Sequence, residues 1–433
     1  MVSNAKRRVV ITGMGLVSPI GIGRDPFLSS LQGGHCGVRK ISSYKGAATP
    51  GGIGGEVWDF DDTSAKKEYL SEKEQRKALK VMCREIQLGA AAAMLALKDS
   101  AIDLDAVDRE RFGVEYGANL MFFSPDQLGD AATASLNDQG EFTMDRWGAT
   151  GLAKMEPLWM LKYLPNMPAC HIAIFAQALG PNNSVTVDEA STGVALTEAL
   201  NIMERGAADV MLVGGTGTRV HPIRTVHGRF WEELGCDEAN PESSCRPFDS
   251  NRVGQVAAEG AGCLVLEEES HALARGAKIW GRLYGGASSC VGRPDGEIDP
   301  HRALVNSIQA ALRRSGVSAN EVGHYHAHGN GSILGDAAEA AAIREVFGSS
   351  VPVTSMKGFT GNPGAGGGFL QIAASLLSLE SGHIPYTLNS TNPDPTLGVN
   401  LVTGAPQTTN NKLFVAANYT RAGQAAAVVV DAS

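Results

Sequence analysis

Apolar positions along the chain fall into two kinds of run. Val9-Val10-Ile11, Val210-Met211-Leu212-Val213, Leu413 to Ala417 and Ala426 to Val430 are short and unbroken. Such runs suit strands covered on both faces, since a strand with one wet face would alternate. Elsewhere the spacing is helical. Leu196, Ala199, Leu200 and Met203 recur at i, i+3, i+4 and i+7 and predict a helix over 192–205, stopped by Gly206. Ser184 to Asp188 reads as a strand leading straight into it. Leu304, Val305, Ile308, Ala311 and Leu312 mark a second amphipathic helix, ended by Ser315-Gly316. A strand over 322–327 runs into His328-Gly329-Asn330-Gly331, and a glycine-rich loop over 360–368 opens a helix over 370–379. Residues 76–100 predict a long helix whose Ala90 to Ala93 lets neighbouring backbones approach. Residues 116–156 show no period and read as a cap or interface excursion. Strands alternate with helices in two stretches, the second beginning near Cys263 to Leu266, which predicts an α/β protein without a flexible linker.

Composition narrows the class. Of 433 residues, 43% are hydrophobic and 19% charged, enough apolar material for a packed core. The net charge of -9, with no basic stripe, argues against a nucleic-acid or membrane surface. The 52 glycines follow no three-residue period, which excludes collagen. Seven cysteines without a CxxC pair predict buried thiols in a reducing, cytoplasmic compartment and no metal site. Lys6-Arg7-Arg8 precedes too short an apolar run for a leader, and no run of about 20 apolar residues predicts a membrane span. Gly13-Met14-Gly15 lacks the third glycine and the following helix of a dinucleotide site.

Chemistry could sit at three places: the strand-to-helix turn over 188–193, the His328 loop and the glycine loop over 360–368. A tight turn of the first kind exposes one side chain beside backbone donors, the geometry of an acyl nucleophile with an oxyanion hole. The same residues carry a resemblance. Val9-Val10-Ile11-Thr12-Gly13-Met14-Gly15-Leu16-Val17-Ser18-Pro19, Gly180-Pro181-Asn182, Arg246-Pro247-Phe248-Asp249, Glu259-Gly260-Ala261-Gly262 and Ala272 to Ala277 follow in order. His328-Gly329-Asn330-Gly331-Ser332 with Asp336 and Glu339, then Ser355-Met356-Lys357 with Thr360-Gly361, complete the pattern. Over 6–431 the chain resembles the β-ketoacyl-ACP synthases, the condensing enzymes of fatty-acid and polyketide synthesis. The resemblance implies a thiolase-like fold: two similar α/β halves, 6–262 and 263–431, in a five-layer α-β-α-β-α architecture. No cofactor is implied.

Active members of that family use a cysteine nucleophile and two histidines, which implies a site altered at several positions here. Ungapped counting from Gly180-Pro181 and back from Gly206 places Glu189 at the cysteine position; a gap-shifted register would place Ala190 there. Ser191 is a weak substitute nucleophile, with no base near it in sequence. The first histidine is His328, and the second position carries Asn362. Lys357 matches the family lysine. The family's C-terminal GFGGTN gate is rewritten as Arg421-Ala422-Gly423-Gln424-Ala425-Ala426. The pattern resembles the chain-length factor, or β-subunit ketosynthase, of type II polyketide systems. It implies a catalytically silent subunit that pairs with an active ketosynthase and meets acyl carrier protein through the complex. Residues 161–178 would then lie at the interface and 116–160 along the acyl tunnel. The alternative is a decarboxylase of malonyl carrier protein using His328 and Asn362.

Overall fold

The unbroken apolar runs become strands buried on both faces. In this computed structural model, which describes residues 7–45, 48–293 and 296–433, they lie on one continuous hydrogen-bonded path of strands that folds as two sheets sharing a corner. Lys6, the first residue of the expected region, lies outside the described residues. The first sheet has the order Asn182–Val185, Phe112–Ala118, Val210–Thr218, Glu259–Glu268 and Val9–Ser18. The second runs Gly281–Cys290, Gln424–Asp431, Leu413–Tyr419, His324–His326, Pro352–Thr354 and Asn400–Leu401. They touch at one corner, where Val9 to Ile11 pairs antiparallel with Gly281 to Leu283.

Side-chain alternation turns these sheets into five layers. Met211 and Val213 face one cluster and Val210 and Leu212 another, because successive residues of a strand point to opposite faces. In the second sheet Val428 and Val430 face inward while Ala427 and Val429 face outward. Helices Ser191–Glu204 and Gly367–Glu380 fill the layer between the sheets. Arg84–Ser100 and Met167–Ala176 cover the outside of the first, and Pro300–Ser315 and Ile333–Phe347 the outside of the second. The α/β, thiolase-like architecture implied by the sequence is the observed one.

Several boundaries move. The opening strand continues through Gly13 and Gly15 to Ser18, because helix Arg84–Ser100 lies directly on it: a Cβ at Gly15 would stand 1.9 Å from the Ala92 carbonyl oxygen. The Ala-rich helix starts at Arg84, not 76, since Met82 and Cys83 are extended and a separate helix spans Lys73–Ala78. The sequence join at 262/263 falls inside strand Glu259–Glu268 of the first sheet; the chain crosses to the second between Glu268 and Gly281. All seven cysteines are free thiols. Among the described residues, no helix is long and apolar enough to cross a membrane, and no cluster of ligating side chains suits a metal.

Candidate functional site

The strand expected over 184–188 ends at Val185, and the chain turns sharply before the central helix. Asp188 has φ 42°, a left-handed conformation that costs a non-glycine residue energy, and one tight turn over Asp188–Ala190 feeds helix Ser191–Glu204. The Ser191 hydroxyl holds this turn by accepting from the Val187 N–H at 3.1 Å. Ser191 is fully buried, with its hydroxyl engaged by that backbone N–H. Ala190 is buried as well.

Glu189 points into the space where three other loops meet. The first is the His328 loop, held by two carboxylates of helix Ile333–Phe347. Glu339 accepts from the backbone N–H groups of His328 and Gly329, both at 2.8 Å. Asp336 accepts from the N–H groups of Asn330, Gly331 and Phe248. Burial raises the Glu339 carboxyl to about 7 and Asp336 to about 6, against the pull of those donors. The second is the glycine loop, where Gly361 at φ 74° lets Asn362 turn inward. The third follows strand Val210–Thr218 and delivers Arg219.

These segments close a ring of hydrogen bonds. Glu189 Oε1 accepts from Arg219 Nη2 at 2.5 Å and from Asn362 Nδ2 at 3.0 Å. Arg219 Nη1 donates to Glu232 Oε2 at 3.1 Å, and Gln255 Nε2 donates to the same oxygen at 3.2 Å. Asn362 Nδ2 donates to Gln255 Oε1 at 2.6 Å, which completes the circuit. Arg224 pairs with the other Glu232 oxygen. The Arg219 and Glu189 side chains are 4% and 9% exposed, so the pair is screened little by solvent. Burial alone would raise the Glu189 carboxyl; Arg219, backbone donation, Asn362 and Lys357 outweigh it and hold the group below the usual carboxylate range. Glu232 is likewise depressed against burial by Arg219 and Arg224. Glu189 is therefore a carboxylate at neutral pH.

His328 joins the ring through Asn330, whose Nδ2 lies 3.2 Å from both Gln255 Oε1 and His328 Nε2. On its other side His328 Nδ1 is 3.1 Å from Asn418 Oδ1. Lys357 Nζ lies 3.1 Å from the same Nδ1, so a neutral ring either donates from Nδ1 to Asn418 or accepts there from Lys357. Burial, then the nearby Lys357, push the imidazole well below its usual range, so it is neutral. Lys357 Nζ donates to the His328 carbonyl at 2.6 Å. Burial lowers Lys357 to about 8, opposed by Glu339 and Glu189. The Tyr419 ring packs edge-on against His328, with centroids 4.7 Å apart. At the surface the rewritten gate puts Arg421 over the Trp231 ring, 5.0 Å from its centroid.

The structure thus brings together Glu189, His328, Asn362 and Lys357, as sequence reasoning grouped them. It adds Arg219, Glu232 and Gln255, which sequence reasoning missed, and gives Asn330 a part. Only the carboxylate at the elbow hinted at them: a buried charge needs a counter-ion.

Residues 6–272 match the family model described as the β-ketoacyl synthase N-terminal domain, and 281–391 that of the C-terminal domain. The chain belongs to the β-ketoacyl synthase family. It is 30% identical to a 3-oxoacyl-[acyl-carrier-protein] synthase 2 of Synechocystis sp. over 413 residues, 93% of either chain. It is 33% identical to the oxytetracycline polyketide putative beta-ketoacyl synthase 1 of Streptomyces rimosus over 399 residues, 90% of this chain and 88% of that one. Among solved structures, the ishigamide ketosynthase/chain length factor superposes with a TM-score of 0.84 at 24% identity, covering 99% of this chain and 100% of the other. The complex AntDE:AntF, a type II PKS acyl-carrier protein with its ketosynthase bound to the hexaketide, gives a TM-score of 0.78 at 24% identity, over the same shares of the two chains. These two likenesses speak for the fold.

Proposed function

We propose that this chain is a catalytically silent, chain-length-factor-type subunit that pairs with an active β-ketoacyl-ACP synthase and forms part of the wall of its acyl tunnel. One observation carries the reading. At the elbow where the family keeps its thiol, Glu189 is a carboxylate engaged by Arg219 and Asn362. A carboxylate attacking a thioester would give a mixed anhydride prone to hydrolysis, and an ion-paired one is a weaker nucleophile still. An oxyanion needs donors aimed at it, yet Asn362 Nδ2 already faces two acceptors and His328 Nε2 faces Asn330.

Pairing is supported by the rim of the first sheet. Strand Asn182–Val185 ends that sheet, with no further strand beside it among the described residues, and it contains neither proline nor lysine to blunt the edge. Beside it Ile174 and Leu179 are 66% and 71% exposed, large apolar side chains that a partner would cover. In the excursion after Ala118, Phe123, Trp159 and Tyr163 form an aromatic cluster, and Leu158 and Met160 stand exposed, which suits a tunnel wall completed by a second subunit. Acyl carrier protein would then meet the complex in the cytoplasm through the active subunit.

Decarboxylation of malonyl carrier protein by His328 and Asn362 is the weaker reading, because ionised Glu189 would repel both the malonyl carboxylate and the enolate. The test is co-expression with a cysteine-bearing ketosynthase from the same gene neighbourhood. The pair should co-purify and condense, and His328→Ala in this chain should change its turnover by less than about twofold. Carbon dioxide release from malonyl carrier protein by the chain alone, or an acyl adduct on it during turnover, would refute silence.

A further inference from the structure

The ring joins five chain segments across the pocket, and its cation is the only member that reaches between two carboxylates. Arg219 Nη2 meets Glu189 at the elbow while Nη1 meets Glu232, which caps helix Pro222–Trp231. Gln255 links Glu232 back to Asn362. The guanidinium is held on both sides by charge, and it and the Glu189 carboxylate are almost without solvent, so a group bonded to residue 189 would have to share that space with an ion-paired cation. The carboxylate at 189 matches this cation in charge and position. We infer that Arg219 is an occluding residue: it shuts the pocket to an acyl thioester independently of the missing thiol, with Glu189 serving as its counter-ion. The inference rests on the reading of the chain as silent and adds a second, separable cause of that silence.

Occlusion and electrostatics predict opposite signs in one experiment. Glu189→Cys places a thiol beside a guanidinium, which lowers its pKa and would speed alkylation if reagent could reach it. Under occlusion the same thiol reacts slowly, and Glu189→Cys/Arg219→Ala reacts faster although its thiolate is less stabilised. The double variant removes both charges of the pair, and Glu232 keeps Arg224, so no buried charge is stranded. Full-length folded chains would be treated with iodoacetamide, and modification at position 189 followed by peptide mass spectrometry, which separates it from the native thiols such as exposed Cys290. The expected result is a rate about tenfold or more higher for the double variant than for the single one. An equal or faster rate for Glu189→Cys alone overturns the inference. Should the alanine variant misfold by near-ultraviolet circular dichroism, Glu189→Cys/Arg219→Ser carries the same comparison. Failure of silence would register differently, as an acyl adduct or carbon dioxide release by the unaltered chain.

Discussion

Replacing Arg219 by methionine keeps much of the side-chain volume and removes the cation between two buried carboxylates. Glu189 loses a partner at 2.5 Å and Glu232 one at 3.1 Å. Removing one member of a buried ion pair costs about 3–5 kcal/mol, because the remaining charge is stranded. Glu232 retains Arg224 and Glu189 retains the Asn362 amide, so the lower end, about 3 kcal/mol, is expected here. Urea unfolding followed by tryptophan fluorescence and far-ultraviolet circular dichroism would measure it. Glu189→Gln/Arg219→Met removes both charges and should lie within about 1 kcal/mol of the unaltered protein. The pH dependence adds a signature. In the native protein Glu189 sits below its ordinary 4.5, so its contribution is present above that value and is lost as pH falls through the lower folded one. Without Arg219, burial dominates and the folded carboxyl rises above its unfolded value. Stability of the variant should then decrease as pH rises, making its deficit larger at about pH 8 than at about pH 5. Additive single and double variants, or a methionine variant within about 0.5 kcal/mol of the parent, would refute the ion-pair account.

Three further outcomes follow from other parts of the molecule. Glu115 is wholly buried, its Oε2 has no partner among the described residues, and burial with the Glu198 charge raises its carboxyl from 4.5 to about 7. The folded state therefore holds a proton that the unfolded chain releases, so this group subtracts stability as pH climbs from about 4.5 through 7; Glu115→Gln should recover up to about 3 kcal/mol above neutrality and little in acid, by urea titration at both pH values. Leu179→Arg, at a side chain 71% exposed, should leave the chain's own stability within about 0.5 kcal/mol yet abolish pairing in native mass spectra. Gly15→Ala, whose new methyl would overlap the Ala92 carbonyl, should cost about 3 kcal/mol or prevent folding, read by thermal melting and soluble yield.

By itself the sequence determined most of the elements buried on both faces and their order. An unbroken run such as Val210 to Val213 requires two dry faces, and a period such as Leu196 to Met203 requires one. It also carried the family, because a family depends on ordered landmarks along the chain, and it grouped Glu189, His328, Lys357 and Asn362, which the fold brings together. Strands Phe112–Ala118 and Gly281–Cys290 escaped it, since Glu115 interrupts one apolar run and glycine and serine dilute the other. The ring of hydrogen bonds around Glu189 was decided by tertiary structure alone. Arg219, Glu232 and Gln255 lie far apart on the chain from Glu189, in loops without period, and become partners only when strands of one sheet end beside the elbow of the central helix. A charge is affordable in that interior only where another segment brings its counter-charge, and that meeting is a property of the packed layers.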